Sequence, residues 1–600
     1  MRQFFKQTIA SLIGTVAGIM LLLTVGVSGL AMLIISAVSV EEETGLKNKS
    51  VLVIDLSLKI QDTKPASSLG EVIDLKQSDT ITLRQVIQSL EQAAQDKHIV
   101  GILLDGSSAQ SNTMGYANLQ EIRAALAKFR ATGKKIIAYD VDWDEKEYYL
   151  GSVADTIMLN PMGALEINGL SSEQLFLARA LDKFGVGVQV IRVGKYKSAV
   201  EPFLQTSLSP ENRQQTEQLL WSIWSDFLRT VSESRDQTPQ ELQKIAGQQG
   251  ILLPEEAIQK GLVDQAVYFD EVVANLKQLT GNDEQDKSFN QVSLQDYVDL
   301  NLKNEPSRYA NSQVAILYAE GSIVGGEGGS DEIGSERFAQ ILRKLRQDDR
   351  VKAVVLRINS PGGSATASEI ILREVQLTNK EKPVIVSMGN VAASGGYWIA
   401  TGAEHIFAEN NTITGSIGVF GLLFNIQEIA NNNGLNWDII KTTELADLST
   451  VVRPKTEKEL ALYQRFVDNI YNQFLDKVAA ARKLPRQKVA EIAQGRVWSG
   501  QDAKKIGLVD QIGGIDAAIN FAVEKANLGK KWSVTEYPRP QSLGVEILSE
   551  FWGQSLLTEQ ANNNPLTDKF ITLQTDLLTL NSLNDPKGIY TRLPFDLNID

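Results

Sequence analysis

Apolar and polar positions divide the chain into stretches of strand and helix character. VLVIDLSLKI (51–60) is rich in β-branched residues, and VAILYAEGSI (314–323) repeats that character. HIVGILLDG (98–106) is matched by RVKAVVLRIN (350–359), and KKIIAYDVD (134–142) by KPVIVSMGN (382–390). EYYLGSVADTIMLNP (147–161) is matched by GYWIATGAEHIFAEN (396–410), with aromatic pairs in register. Nearly continuous apolar runs of this length predict strands buried on both faces. Helical stretches alternate with them, which predicts parallel βαβ units. GLVDQ occurs at 261–265 and again at 507–511, each time after a helical stretch, about 250 residues apart. The pattern predicts an internal duplication and two α/β domains of similar fold.

The two ends of the chain fall outside this repeat. From Thr8 to Val40 no residue is charged, a run longer than the ~20 apolar residues that span a bilayer. Arg2 and Lys6 precede it, and Glu41, Glu42 and Glu43 follow. The positive-inside rule then keeps the first residues cytoplasmic and sends the rest across in a single pass. The run is too long for a cleaved signal peptide's apolar core of 7–15 residues, so an anchor is preferred. The polar stretches TGNDEQDKSFNQ and NLKNEPSRYANSQ mark a junction between the repeats. The resulting division is a membrane anchor at 1–45, a first repeat at 46–280, a junction at 281–312, a second repeat at 313–545 and a tail at 546–600.

Composition narrows the chemistry. The net charge is −14, and no basic cluster with interleaved aromatics occurs, which argues against nucleic acid as a partner. There is no cysteine, so a thiol nucleophile, a disulfide framework and a cysteine zinc site are excluded. The only histidines are His98 and His405, which leaves two candidates for any serine–histidine pair.

Three segments carry candidate chemistry. INSPGGSATASE (358–369) follows a predicted strand, and its glycines allow close approach of a ligand to backbone N–H groups. A helix beginning there adds partial positive charge, which suits an oxyanion. In GNVAASGGYWIATGA (389–403), Ser394 lies at a strand-to-helix turn among small residues, the setting a nucleophile needs. Taken alone it also fits an ordinary turn and helix cap. The third segment is VIRVGKYKSAVEPF (190–203), which carries the two candidate lysines Lys195 and Lys197.

INSPGG followed by AAS resembles the Clp protease subunit and its ClpP/crotonase superfamily. The longer run SPGGSATASE…NVAASGGYWIATGA…TGSIGV is similar to the signal peptide peptidase A (protease IV) family in its long, two-repeat form, over about residues 50 to 540. The resemblance implies two tandem ClpP/crotonase-like α/β domains behind one transmembrane helix. It implies Ser394 as nucleophile, Lys197 as general base, Gly363 and Gly395 as oxyanion-hole donors and Ser416 as the residue that orients the lysine. Neither histidine follows the Clp spacing. The counterpart of Ser394 in the first repeat falls near Glu145, and that of Lys197 in the second near Ala446, so each half keeps one partner of the dyad. Lys197 must then be neutral, which burial beside groups such as Val200 and Phe203 favours and an inward Glu201 opposes.

The implied activity is a membrane-bound serine endopeptidase that degrades cleaved signal peptides, without metal or cofactor. The implied partners are signal peptides and other apolar peptides, the lipid bilayer, and three further copies in a homotetramer. The implied place is the bacterial plasma membrane with the catalytic domains on the periplasmic side, or alternatively the thylakoid membrane. Two other readings stand beside this one: a crotonase-type acyl-CoA enzyme, and a non-catalytic membrane scaffold.

Overall fold

The computed structural model describes residues 46–63, 80–108, 114–304, 311–538 and 589–593. The predicted anchor, 1–45, lies outside them, as does most of the tail. Among the described residues no helix is long and apolar enough to cross a membrane.

Two sheets that share a parallel six-strand path of the same order form the frame, and the second adds the antiparallel pair Ile413–Gly415 and Val497–Ser499 beside Val384–Ala393. The first runs Gln265–Ala266, Thr156–Leu159, Lys135–Asp140, Ile99–Gly106, Ser50–Asp55, Gln291–Ser293. The second runs Gln511–Ile512, His405–Ala408, Val384–Ala393, Val351–Ser360, Gln313–Glu320, Ser533–Tyr537. Each strand is the counterpart of the one at the same place in the other list.

The duplication extends to single hydrogen bonds. Tyr148 donates to the Leu262 carbonyl at 2.6 Å, and Tyr397 to that of Leu508 at 2.8 Å. Lys134 bridges the carbonyls of Ala93 and Asp96, and Lys382 those of Leu345 and Asp348. Arg235 pairs with Asp264, and Arg482 with Asp510. These residues close the ends of equivalent βαβ turns, where buried polar groups must find partners.

Helices follow their sequence signals. Leu83–Gln95 opens with a Thr82–Gln85 capping box and buries Leu83, Val86, Ile87 and Leu90, the i, i+3, i+4, i+7 stripe. Its counterpart Ser335–Gln347 buries Phe338, Ala339, Leu342 and Leu345. The segment 281–312, expected as a junction from its polarity, carries the strand Gln291–Ser293 and the helix Leu294–Asn304. Val292, Leu294, Tyr297 and Val298 are buried in the main core, so this segment finishes the first sheet.

A third sheet joins the halves. Gly187–Val193 of the first repeat pairs antiparallel with Val419–Asn425 of the second along seven residues. The same sheet contains Glu332–Gly334, Ser322–Val324, Gly362–Ser364 and, from the tail, Ile589–Arg592. It carries the first half's chain into the second half.

Candidate active site

The strand Val384–Ala393 ends at Ser394, where the backbone turns into the short helix Gly395–Ala400. Ser394 has φ 54° and ψ −110°, a conformation that costs a non-glycine residue about 1–3 kcal/mol. Its N–H donates to the Gly415 carbonyl at 2.8 Å, and its carbonyl accepts from the Trp398 N–H at 2.8 Å. The two glycines that follow it leave little room for a side chain. A Cβ on Gly396 would lie 2.8 Å from the Ser360 carbonyl oxygen, and one on Gly395 2.7 Å from Ser368 Oγ.

Lys197 reaches this serine from the other half. The Gly187–Val193 strand hands the chain to Gly194, whose φ of +100° and tight approach to Gln494 admit no side chain. Tyr196 then donates to the Gln494 carbonyl at 3.0 Å. Gln215, on the helix Pro210–Arg235, donates to the Tyr196 carbonyl and to Ser198 Oγ while accepting from the Val497 N–H. These bonds fix the loop so that Lys197 Nζ lies 2.8 Å from Ser394 Oγ, 3.0 Å from Ser416 Oγ and 3.1 Å from the Ser416 carbonyl oxygen. Lys197, Ser394 and Ser416 are all fully buried.

Burial alone pushes the Lys197 ammonium well below its ordinary range. The aromatic ring beside it is Phe420, with its centroid 5.9 Å from Nζ. Val200 and Phe203 belong to the same apolar cluster as Phe420. Glu201 points inward, yet its carboxylate accepts from Ser209 and Asn212 and lies 3.8 Å from Arg192. Lys195 is exposed, with Nζ over the Tyr196 ring.

The SPGG segment abuts the Ser394 turn. Gly362 has φ +99°, and a Cβ on it would lie 2.7 Å from the Gly395 nitrogen. Gly363 follows in the strand Gly362–Ser364, and Ser364 caps the helix Ala365–Asn379. Thus the five residues expected at the site, Ser394, Lys197, Ser416, Gly363 and Gly395, come from segments that meet at one place.

Both histidines lie elsewhere. His405 pairs beside Ile385, nine residues up the strand from Ser394, about 30 Å at ~3.3 Å per residue. His98 is exposed and bonded to Asp96.

Some residues here were not among the sequence candidates. A Cβ on Gly495 would meet Lys197 Cβ at 2.6 Å, and one on Gly418 would meet Lys197 Cδ at 3.2 Å. Two bare glycines therefore form the slot that holds the lysine stem. The strand Ile589–Arg592 was not among the sequence candidates either. Four residues without a clear period carry no strand signal by themselves.

Comparison with known proteins finds one family in both repeats. The family model for peptidase family S49 matches residues 128–283 and 376–529, one stretch in each repeat, and that for Clp protease matches 305–413. The chain is 34% identical over 592 residues to Protease 4 of Haemophilus influenzae, covering 94% of each chain. It is 34% identical over 568 residues to Protease 4 of Salmonella typhi, covering 90% of each. To the chloroplastic serine protease SPPA of Arabidopsis thaliana it is 35% identical over 476 residues, 78% of this chain and 70% of that one. With matches in both repeats and relatives aligned along nearly its whole length, the chain belongs to peptidase family S49.

Proposed function

We propose that this protein is a serine endopeptidase in which Ser394 is the nucleophile and Lys197 the general base. The 2.8 Å contact between Lys197 Nζ and Ser394 Oγ in a fully buried setting carries the reading. A neutral amine has two N–H donors and one lone pair. The Ser416 carbonyl can only accept, so it takes one N–H, and Ser416 Oγ takes the other. The lone pair then faces Ser394, whose O–H donates to it. Ser394 attacks a peptide carbonyl as Lys197 takes its proton, and the N–H groups of Gly363 and Gly395 receive the oxyanion. Lysine returns the proton to the leaving amine, and water releases the acyl group.

Apolar peptides, including spent signal peptides, are the substrates the family resemblance favours. The apolar face of the shared sheet agrees, with Val188, Val190, Phe420 and Leu422 in one cluster whose Phe420 ring centroid is 5.9 Å from Lys197 Nζ. Anchorage through residues 8–40 and assembly as a homotetramer belong to the same proposal, with the plasma membrane as its place. The plastid relative keeps the thylakoid alternative open.

The test is hydrolysis of an apolar fluorogenic peptide by wild type, Ser394→Ala and Lys197→Ala. Activity in wild type and its loss in both variants is the expected result. An active Lys197→Ala variant would remove the base assignment.

A further inference from the structure

The helix Pro210–Arg235 belongs to the first half, yet one of its faces is bonded to the second half along most of its length. Gln215, Gln218, Ser222 and Asp226 succeed one another at helical steps of three or four, so they share that face. Gln218 accepts from the Arg496 guanidinium. Ser222 Oγ donates to Ser499 Oγ at 2.7 Å and accepts from the Gln501 amide at 2.8 Å. Asp226 accepts from the Asn411 amide at 3.1 Å. These partners lie on or beside the antiparallel pair Ile413–Gly415 and Val497–Ser499.

That pair carries the second half's share of the site. The Gly415 carbonyl accepts from the Ser394 N–H, and Ser416 contacts Lys197. The Ser416 N–H donates to the Arg496 carbonyl at 2.7 Å, and the Gly495 N–H to that of Ile417 at 2.8 Å. Gln215 is 1% exposed, and its one amide reaches both sides. Nε2 donates to the Tyr196 carbonyl at 3.1 Å and to Ser198 Oγ at 3.0 Å, the two residues that flank Lys197. It also lies 3.1 Å from Asn212 Oδ1. Oε1 accepts from the Val497 N–H at 3.3 Å. The task needs a neutral group that both donates and accepts. A carboxylate there would donate nothing and would favour a charged lysine nearby.

We propose that Gln215 is a positioning residue for proton transfer, setting the place of Lys197 against Ser394 and Ser416, an inference that rests on the serine–lysine reading. It touches neither of the reacting atoms. It acts by holding Tyr196 and Ser198, and so the lysine between them, at a fixed distance from the strand that leads to Ser416. Loss of the amide frees the lysine loop, with two consequences. The Nζ–Oγ contact is broken for part of the time, which slows proton transfer. Water also gains access to the ammonium, so the lysine recovers part of its ordinary basicity.

The experiment measures kcat and KM for an apolar fluorogenic peptide as a function of pH, on full-length wild type, Gln215→Met, Gln215→Asn and Lys197→Ala, with the folded fraction taken from circular dichroism. Methionine keeps the bulk of the side chain without its N–H donors, and asparagine keeps the amide one methylene short. The expected result for Gln215→Met is a kcat per folded molecule lower by ~10–100-fold, KM little changed, and a kcat–pH midpoint moved to higher pH. Gln215→Asn should fall between it and wild type. If Gln215→Met does not fold, the same two readings on Gln215→Asn decide. A wild-type kcat, or a lower kcat at an unmoved pH midpoint, overturns the proposal, and so does failure of both variants to fold, since Gln215 then serves the fold alone. An inert Lys197→Ala beside Gln215 variants that match wild type leaves the dyad standing. An active Lys197→Ala removes the dyad reading and this proposal together.

Discussion

At the scale of the residue, the site depends on one lysine held without its charge. Burial depresses the Lys197 pKa in the folded state. Activity should therefore rise with pH through that depressed value and reach its plateau well below 10.5. Lys197→Arg should be inert across the range, because a guanidinium stays protonated, with a loss of at least the ~10²–10⁴ that a general base supplies. The same shift fixes a sign for stability. Between the folded and unfolded pKa the unfolded chain holds a proton that the folded chain lacks, so Lys197 lowers stability there, and the loss is recovered as pH rises to the unfolded value. Lys197→Met should thus raise the Tm at pH 7 while abolishing hydrolysis, and calorimetry showing a lower Tm would contradict this. Gly495→Ala tests the slot around the lysine. Its φ is +78°, and the new Cβ would sit 2.6 Å from Lys197 Cβ, so kcat should fall ~10-fold or more. An unchanged kcat would show that the lysine stem does not depend on this slot. Lys197 and Ser394 were legible because each stands in a motif. The glycine slot was not, since Gly418 and Gly495 gain their meaning only from a lysine more than two hundred positions away.

Elements repeat between the halves, but the chemistry at their ends does not. The Tyr148–Leu262 and Tyr397–Leu508 bonds superimpose the two turns and put Glu145 at the place of Ser394, as the sequence alignment of the halves expected. Around it the first repeat gathers carboxyls. Desolvation, with Glu147 nearby, pushes Asp140 up to about 9. Burial likewise raises Glu147 to about 8 and Glu145 to about 7. Within the windows from ~4 up to those values the folded chain holds protons that the unfolded chain has lost, so stability falls as pH rises. The urea midpoint should drop between pH 5 and 9. Asp140→Asn should flatten that slope by at most about 1.4 kcal/mol per pH unit, the contribution of a single proton. A slope identical to wild type would show that Asp140 is already ionised. The strands of both sheets could be read from their apolar runs. Gln291–Ser293 could not, because a three-residue strand in a polar stretch has no period, and Ile589–Arg592 could not, because its partners lie near 363 and 420.

The whole molecule is more unified than a two-domain reading of the repeat implies. One hydrophobic core takes Leu52, Ile102 and Leu126 from the first half together with Val314, Val355 and Ile519 from the second. Its polar counterpart is Arg357, on the strand that leads to SPGG. Its guanidinium is fully buried, 3.0 Å from Asp62 and 2.8 Å from Glu121 of the first half. It also donates to Asn118 of that half and to Ser387 beside it. Glu121 in turn accepts from the Ile515 N–H of the second half at 2.6 Å. Domains that fold alone have their own cores; the second half keeps one around Val354, Leu356 and Tyr397, but the other face of its sheet is buried in the core it shares with the first half. Denaturation of wild type should therefore follow one cooperative transition, with fluorescence and circular dichroism coincident. Arg357→Met removes the cation and strands two carboxylates in the interior, at a cost of about 3–5 kcal/mol. Its midpoint should fall by that much, with peptide hydrolysis declining at the same denaturant concentration as structure, because Lys197 and Ser394 meet only while the halves are joined. Two separated transitions in wild type, with hydrolysis lost in the first, would show instead that the halves fold independently and that the shared sheet is a weak contact.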